Sequence, residues 1–419
     1  MWNLIHKYEM LVLIIFFYVV LNTMRMFYAP PIMEYETSRR ISKPLNIIST
    51  NGYVYRYPEI PAYRQNEIET YNRFDEDINV EIWGKAAISM YLWEHILRGK
   101  LKQEMLKMKN IGSIKANGMT INYKHGPWYI QTTVPRNVQH LVLVLNGRAP
   151  QKVVLAKQWL DYLHNFKYLT TLIIVLHANE QCDNEWILPY MKSNNGKIDA
   201  VFLTYDSTLV DDKEFFQWPL GVASYRGFEF LATEKVNMKR GRNYICNFIG
   251  TMYENSTRTK LQEIVNSVVP DYKCPIKGRK HWTPEESQGS SDYYKKVIHQ
   301  SDTTLCPVGM NPECYRIYEA LSLGSLPIVE DNTTPGNCDS NPLRLLKKHN
   351  APFFFIKDWG LLPSILESEM NLTEDEKEER RRTVMIWYKK FKQEMKETFL
   401  SVLKSKIEGN LKMIRKDGF

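Results

Sequence analysis

Short apolar runs recur through the middle of the chain and alternate with segments of helical periodicity. Three runs occupy residues 140–147, 169–179 and 200–207, and a helical segment at 153–164 separates the first two. Continuous apolar runs of this length are typical of strands buried on both faces of a parallel sheet. The order strand, helix, strand therefore predicts a parallel α/β sheet.

A second series of the same kind follows residue 242. It comprises predicted strands at 244–251, 302–309, 326–331 and 353–359 and predicted helices at 257–267 and 313–323. The basic segment 237–242 separates the two series, and we interpret it as an interdomain linker. Ligands of parallel sheets bind outside the carboxyl ends of the strands, so we expect a cleft between the two series, lined by the loops that follow the strands.

Two further helices flank these series. Residues 80–99 carry apolar side chains at helical spacing and end on Gly99, which predicts a helix followed by a poorly regular stretch. Residues 373–417 are dense in Glu, Lys and Arg with interleaved aromatic residues. This pattern predicts one long amphipathic helix that packs against the rest of the chain.

The N-terminal residues have a different pattern. Residues 10–21 are uninterruptedly apolar, and a membrane-crossing helix needs roughly 17–25 such residues, fewer in thin membranes. We interpret residues 9–27 as a transmembrane signal anchor behind a cytoplasmic tail at 1–8, with a cleaved signal peptide as the alternative. The proline- and tyrosine-containing residues 28–78 are interpreted as a stem.

Composition narrows the class of partner. The 419 residues suit two domains with appendages, and 44% hydrophobic residues suffice for buried cores. A net charge of +8 favours anionic partners such as nucleic acid, phosphorylated glycans or nucleotide sugars. The positive charge is spread rather than clustered with stacking aromatic residues, which argues against nucleic acid.

Two features indicate a lumenal body. Three acceptor sequons for N-glycosylation begin at Asn255, Asn332 and Asn371, and the cysteine count is six. Buried free thiols are the alternative interpretation of the cysteines, and their pairing stays open. Because no tetrahedral Cys/His spacing occurs, no metal site is predicted.

The segment 301–331 carries the strongest site signal. A strand and a Pro-Val-Gly turn ending at Gly309 precede a helix with Arg316 and Glu319 one turn apart. An arginine fork suits a diphosphate, helix N-terminal amides add donors, and a carboxylate can accept from ribose hydroxyls. Standing alone, such a pair is often only a surface ion pair.

This segment resembles the sugar-nucleotide signature of exostosin-like enzymes, glycosyltransferase family 47. The matching positions are Pro307, Gly309, Arg316, Glu319, Ala320, Gly324 and Pro327. Residues 242–258 resemble the opening of that family's second domain through Phe248, Gly250 and Arg258. The chain has Cys314 and Tyr315 where exostosins commonly have Ser before the Arg.

A closer resemblance is to the ribitol-5-phosphate xylosyltransferases, over residues from about 80 to 395. The segments that carry it are 82–96, 143–148, 179–192, 216–226, 247–258 and 306–320. The resemblance implies a GT-B fold, in which two Rossmann-like domains face each other across a cleft, behind an N-terminal transmembrane anchor. Residues 79–238 would form the acceptor-side domain, 239–372 the nucleotide-sugar domain and 373–419 a C-terminal helical segment.

The same resemblance implies an inverting transfer of xylose from UDP-xylose to ribitol 5-phosphate on the O-mannosyl glycan of α-dystroglycan. The enzyme would be a single-pass type II Golgi membrane protein with a lumenal body, without cofactor or required metal. Ribitol-phosphate transferases of the same pathway are expected partners. The alternatives are a non-catalytic Golgi scaffold and an exostosin-like transferase that uses another UDP-sugar.

Residue roles follow from the matched motifs and from strand ends. The predicted donor-binding residues are Gly250, Arg258, Gly309, Arg316 and Glu319. Among acidic residues after the apolar runs, which are Glu180, Asp183, Glu185 and Asp206, we rank Asp183 and Glu185 first as the catalytic base, with His177 as the alternative. Arg148 and Arg279 are predicted to bind the acceptor phosphate. The Asp75–Asp77 pair is interpreted as solvated charge.

Overall fold

The computed structural model describes residues 78–417 with ten short gaps. These are 105–108, 127–128, 229–235, 237–240, 255, 269, 271–272, 282–286, 337 and 339–341. The predicted tail, anchor, Asp75–Asp77 pair and nearly all of the stem and linker lie outside the described residues. Within the described part, no helix is both long and apolar enough to span a bilayer.

The first half of the described chain forms an eight-stranded mixed sheet. Its strands β1 to β8 are Ile78–Gly84, Lys102–Glu104, Lys109–Ala116, Met119–His125, His140–Asn146, Thr171–His177, Ala200–Leu203 and Phe215–Gln217. Their order is β2-β3-β4-β1-β5-β6-β7-β8, parallel from β4 to β8 and antiparallel from β2 to β4. Strands β5 and β6 are buried along nearly their whole length, which confirms the parallel strands predicted from these apolar runs.

The second half forms a smaller parallel layer. Its strands β9 to β13 are Phe248–Thr251, Ile276–Arg279, Thr303–Cys306, Leu326–Glu330 and Phe354–Ile356. Strand β10 pairs with β9, and β12 pairs with both β11 and β13, all in parallel. Backbone hydrogen bonds from Thr303 to Ile245 and from Leu305 to Asn247 join β11 to the segment that leads into β9. The second predicted α/β series is therefore confirmed.

Helices cover these layers. In chain order, α1 is Ile88–Met90, continued as a π-helix over Tyr91–Ile96, and α2 to α8 are Pro150–Tyr162, Thr257–Val268, Gln288–His299, Tyr315–Ser322, Arg344–Lys348, Leu362–Met370 and Glu374–Asp417. The long C-terminal helix was predicted at nearly the same residues. Residues 73–419 cluster as one compact unit by themselves, and the predicted boundary between two domains stays a prediction.

The helix predicted at 80–99 is wrong in its first part, because residues 78–84 form strand β1. Val80 and Ile82 are buried while Asn79 is exposed, so the strand has a two-residue period. Its two parallel neighbours, β4 and β5, fix this backbone. Only the later residues of the predicted segment are helical.

The hairpin of β3 and β4 lies in the stretch that the sequence left without regular structure. Met119, Ile121 and Tyr123 are buried and alternate with more exposed residues, as expected for a sheet with one covered face. Asn117 and Gly118 connect the two strands with positive φ angles of 51° and 74°. An Asn-Gly pair between alternating segments is a strong hairpin signal that the sequence offered.

Helix α8 packs against both layers. Phe399 is fully buried and contacts Phe202 and Trp218 of the first sheet, with ring centroids 5.4 and 5.7 Å apart. Nearer its start, Glu394 accepts a hydrogen bond from His349 at 2.6 Å on the side of the second layer. The helix therefore ties the two α/β layers together.

Replacing Phe399 by Ala should lower the free energy of unfolding by about 3–5 kcal/mol, because truncating a buried aromatic ring leaves a cavity. The matched control is Ile386→Ala on the same helix, where the side chain is 58% exposed, and it should cost about 0.5 kcal/mol or less. The urea concentrations at the unfolding midpoints of the two variants test this prediction. Equal midpoints would contradict the role given to α8.

Candidate functional site

A cavity of about 520 Å³ opens at the carboxyl ends of strands from both layers. It is lined by residues at or just after the carboxyl ends of β5, β6 and β7 on one side and of β9, β10 and β11 on the other, including Arg148, Glu180, Tyr205, Thr251, Arg279 and Gly309. The volume lies within the ordinary range for small-ligand pockets, roughly 300–1,000 Å³. The position agrees with the cleft predicted from the strand order.

The turn at residues 307–309 is fixed from two sides by buried charged groups. The Arg258 guanidinium donates to the carbonyl oxygens of Val308, at 3.0 Å, and Pro307, at 3.5 Å. Glu330 accepts from the Val308 amide at 2.9 Å. The backbone of this turn therefore has little freedom to move.

Arg258 supports the cavity wall from behind. Its guanidinium also donates to the Thr251 carbonyl at 2.6 Å and lies 4.8 Å from the centre of the Tyr253 ring. A Cβ atom at Gly309 would come within 2.8 Å of its Nη2 atom, so any side chain there would require the guanidinium to shift. Burial, and then the neighbouring Arg316, lower the pKa of Arg258 to about 10, which leaves it charged at neutral pH.

Arg316 lies beside this arginine at the first turn of α5. Its guanidinium is 4.6 Å from the centre of the Phe248 ring and donates to the Ile249 carbonyl at 2.9 Å. A Cβ atom at Gly250 would lie 2.4 Å from its Nη2 atom. Its Nε atom is buried without a hydrogen-bond partner among the described residues, while the residue as a whole is half-buried and lines the cavity.

Glu319 lies one turn further along α5 and is buried. Its carboxylate accepts from the Tyr294 hydroxyl at 2.6 Å and from the Ala223 amide at 3.2 Å. Burial raises its pKa, against the effect of these two donors. Because Ala223 belongs to the segment after β8, Glu319 holds that segment against α5; its predicted contact with a ribose stays a prediction.

The charges that line the cavity favour an anion. Six cationic side chains, Arg148, Arg226, Arg258, Lys277, Arg279 and Arg316, face three carboxylates, Glu180, Glu313 and Glu319. The first turn of α4 adds Gly289, Ser290 and Ser291 to the wall, and helix N-terminal amides favour negative charge. Lys277 lies 4.8 Å over the Tyr293 ring, which also lines the cavity.

Glu180 is held on the opposite wall. Its Oε1 atom accepts from Arg148 at 2.5 Å and from the Tyr205 hydroxyl at 3.4 Å. Its own carbonyl accepts from the Asn311 amide group at 2.9 Å, which connects it to the turn of the second layer. Two residues on, a disulfide joins Cys182 to Cys338.

Glu313 is a cavity residue that the sequence reasoning missed. It accepts from the Leu220 amide at 2.9 Å and from the Tyr318 hydroxyl at 2.5 Å, and burial raises its pKa to about 7. Its only signal in the sequence was its place in the matched segment 306–320. The geometry makes Glu313 a link between α5 and the loop after β8.

The predicted donor and acceptor residues meet in this cavity, whereas the predicted bases do not. Gly250, Arg258, Gly309, Arg316, Glu319, Arg148 and Arg279 all line it.

Asp183 and Glu185 are exposed and lie outside its lining, so the structure does not favour either as the base. His177 is buried, and burial and then Arg148 lower its pKa to about 3. Asp206 accepts from Arg344 at 2.7 Å and is likewise outside the lining.

The predicted modification sites differ in their surroundings. Asn255 lies outside the described residues. The Asn332 amide donates to Glu330 at 3.1 Å and to the Lys357 carbonyl at 2.9 Å, while Asn371 is exposed. Glycosylation of any of the three stays a prediction. Among the described residues, no cluster of His, Cys, Asp or Glu has the grouping of a metal site.

Two family models match the chain. One, described as the RXYLT1 N-terminal domain, matches residues 80–219, and the other, the RXYLT1 C-terminal domain, matches residues 225–407. The protein named ribitol-5-phosphate xylosyltransferase 1 from Danio rerio is 46% identical over 77% of this chain and 76% of its own length. The protein of the same name from Homo sapiens is 44% identical over 78% of this chain and 76% of its own length.

One solved structure, an α1,3-fucosyltransferase, covers 81% of this chain and 93% of its own. Its identity is 11% and its TM-score 0.36, a likeness too weak to support an argument about this chain.

Replacing Gly309 by Ala should displace Arg258 and the 307–309 turn, because the added methyl group would lie 2.8 Å from Nη2. We expect binding of UDP to weaken by roughly tenfold or more, which corresponds to about 1.4 kcal/mol. Calorimetric titration of each variant with UDP measures this change in affinity. The control is Gly409→Ala in α8, where a Cβ atom meets nothing within 4 Å. If UDP binding weakened in this control and not in Gly309→Ala, the role given to the 307–309 turn would be contradicted.

Proposed function

Because the chain belongs to the ribitol-5-phosphate xylosyltransferase 1 family, we propose that it is a glycosyltransferase that moves xylose from UDP-xylose to ribitol 5-phosphate with inversion. The acceptor we propose is the ribitol-phosphate part of the O-mannosyl glycan of α-dystroglycan. One observation supports the chemistry most directly: the buried Arg258 and the half-buried Arg316 lie against two glycines at the wall of a mainly cationic cavity. Such a wall suits the diphosphate of a nucleotide sugar.

The leaving group is the first requirement of the reaction. As the bond from xylose to UDP breaks, negative charge develops on the diphosphate. Arg316 lines the cavity as a half-buried cation, and Arg258 adds positive charge from behind the 307–309 turn. Fixed cations in a partly dry site stabilise such charge without reorganising. We propose that these two residues perform this role without a metal ion.

The second requirement is a base that removes the proton of the attacking ribitol hydroxyl. We propose Glu180 for this role in place of Asp183 and Glu185, because only Glu180 of the three lines the cavity. Its Oε1 atom is engaged by Arg148 and Tyr205, and no hydrogen bond to its Oε2 atom is formed within the described chain. The Oε2 atom is therefore available to accept the proton.

Arg148 and Arg279 are proposed to hold the acceptor phosphate. Both line the cavity, and Arg279 also donates to the Thr251 hydroxyl at 3.3 Å. A phosphate bound by Arg148 would lie close to Glu180, because these two side chains are already in contact. We propose that a ribitol hydroxyl would then come within reach of the base, which is the positioning that the reaction needs.

The wider setting follows from the sequence. We propose a GT-B arrangement of the two α/β layers, with residues 9–27 as a signal anchor in the Golgi membrane and a lumenal body. Ribitol-phosphate transferases of the same pathway are the partners we propose. Both layers contain parallel strands whose carboxyl ends meet the cavity, which supports the GT-B arrangement.

Transfer from UDP-xylose to a ribitol-5-phosphate acceptor tests the function. The parent protein should turn over, and Arg316→Ala should lose roughly 10²-fold or more in kcat/KM, since a donor to the developing charge is removed. The control is Arg382→Ala, a half-exposed arginine of α8, which should retain activity. A parent that binds UDP but transfers only another sugar would refute xylose as the donor sugar; one without any UDP-induced rise in melting temperature would favour a non-catalytic scaffold.

Glu180→Gln should lower kcat by roughly 10²–10⁴-fold, because the neutral amide cannot take up the proton. The affinity for UDP should be nearly unchanged, since Glu180 lies on the opposite wall from Arg316. Asp183→Asn and Glu185→Gln are the matched controls and should keep kcat within about twofold, as expected for exposed side chains away from the cavity. Loss of kcat in either control with a fully active Glu180→Gln would restore the original assignment.

A further inference from the structure

A disulfide joins a loop of the first sheet to a loop of the second layer, next to the cavity. Its cysteines are Cys182, which follows β6, and Cys338, which follows β12. The other disulfide, Cys246–Cys274, stays within the second layer, where its cysteines precede the paired strands β9 and β10. Of these two bonds, Cys182–Cys338 is therefore the one that connects the layers.

The disulfide lies in a junction built around the backbone of Glu180. The Asn311 side-chain amide donates to the Glu180 carbonyl at 2.9 Å, and the Cys338 sulfur lies 3.7 Å from the same oxygen. A Cβ atom at Gly336 would lie 2.5 Å from the Gln181 carbonyl oxygen, so the two backbones are in direct contact. The second layer thus holds residues 180–182 by a covalent bond, a hydrogen bond and a backbone contact.

The backbone at Cys182 decides which acidic side chain faces the cavity. Its φ is 64°, in the left-handed region that residues other than glycine seldom adopt, and such a conformation persists where the surroundings enforce it. Glu180, before this reversal, lines the cavity, whereas Asp183 and Glu185, after it, are exposed. The bond from Cys182 to Cys338 therefore acts on the direction of the Glu180 side chain.

The donor side of the cavity is held without this bond. Arg258 and Glu330 fix the 307–309 turn from within the second layer, and Arg316 donates to the Ile249 carbonyl of the same layer. Helix α8 joins the two layers independently of the disulfide. Breaking the Cys–Cys bond should therefore loosen the wall that carries the proposed base, while the donor wall and the fold persist.

We propose that Cys182 and Cys338 are positioning residues for Glu180, and that reduction of their bond lowers turnover without weakening the donor site. The proposal rests on the proposed function, which gives Glu180 the proton transfer. Cys338 is half-buried and Cys182 is fully buried, so an external thiolate would reach the Cys338 sulfur. Cys246 and Cys274 are both fully buried, so their bond should survive mild reduction.

Dithiothreitol supplies the electrons for this reduction. One of its thiolates attacks the Cys338 sulfur, forms a mixed disulfide and releases Cys182 as a thiolate, which takes up a proton. The second dithiothreitol thiol loses its proton and attacks the sulfur of the reagent in the mixed disulfide. This closes a cyclic disulfide and releases Cys338 as a thiolate, which is protonated in turn. The reagent loses the two electrons that the protein gains.

The test compares two double variants by kcat, with saturating UDP-xylose and ribitol-5-phosphate acceptor, and by calorimetric titration with UDP. Cys182→Ala/Cys338→Ala should lose roughly 10–100-fold in kcat, because displacing a reacting group by about 1 Å can cost that much. Its affinity for UDP should be nearly unchanged. Cys246→Ala/Cys274→Ala is the matched control, since it also removes one disulfide, and it should keep both its kcat and its affinity for UDP.

Reduction of the folded parent with dithiothreitol is the second measurement, which decides the question if a double variant fails to fold. Alkylation followed by peptide mapping should find Cys182 and Cys338 reduced while Cys246 and Cys274 stay bonded. The kcat of the reduced parent should fall as in Cys182→Ala/Cys338→Ala and should return after reoxidation.

Hydrogen exchange separates failure of this proposal from failure of the proposed function. The amides of residues 179–184 should exchange faster in Cys182→Ala/Cys338→Ala than in the parent, while those of residues 303–309 should stay equally protected. If this difference appears but the parent transfers no xylose, the proposed function fails and the positioning of residues 180–182 by the disulfide stands. Unchanged exchange at 179–184, equal losses of kcat in the two double variants, or weaker UDP binding with kcat retained would each overturn the proposal.

Discussion

The turn at residues 307–309, held between Arg258 and Glu330, is the constraint on which the site depends. Both side chains are buried, and a buried charge is costly unless hydrogen bonds compensate it. Arg258 finds its partners in the carbonyls of Thr251, Pro307 and Val308, while Glu330 accepts from Val308, Thr257 and Trp359. These partners exist together only when β9, the turn and β12 are in their native places. The charges therefore fix the geometry more than they add to stability, and a side chain at position 309 would require the guanidinium to move away from these partners.

Contacts that cross between the two layers build the rest of the cavity on this turn. Glu319 holds Ala223, Glu313 holds Leu220, and Asn311 holds the carbonyl of Glu180. Each joins the segment 311–319 to a loop of the first sheet, so the two walls have a defined separation. Helix α8 supports the same arrangement from outside, through Phe399 on one layer and Glu394 on the other. A ligand bound on one wall consequently meets groups of the other wall in fixed positions.

The sequence predicted the strands and helices whose burial shows directly in their own residues. Strands β5, β6, β11 and β12 are buried on both faces, so they stand out as apolar runs. Strand β1 was missed for a different reason. Its buried residues recur at every second position, and by chance they continue the four-residue spacing of the apolar residues in the helix that follows, so the whole segment resembled a helix. The choice among Glu180, Asp183 and Glu185 depends on one backbone feature: Cys182 has a φ of 64° and is joined to Cys338. The chain reverses there, so Glu180 faces the cavity and the two later acids face solvent. No sequence pattern encodes that reversal.

Glu180 follows β6 of the first sheet and Glu313 precedes α5 of the second layer, and their carboxyl groups differ in a way that bears on the roles we propose. Glu180 is paired with Arg148, and its Oε2 atom has no hydrogen-bond partner in the described chain, so that atom is available to accept a proton. Glu313 has a pKa raised to about 7, and its Oε1 atom already holds a backbone amide and the Tyr318 hydroxyl. A base must change its protonation in every cycle, and a carboxylate that anchors a loop through the same atoms would disturb that loop each time. The loop after β8 carries Leu220 and Ala223 into the cavity wall. The contacts of Glu313 therefore suit a role in holding this loop, whereas Glu180 suits the role of base that we propose.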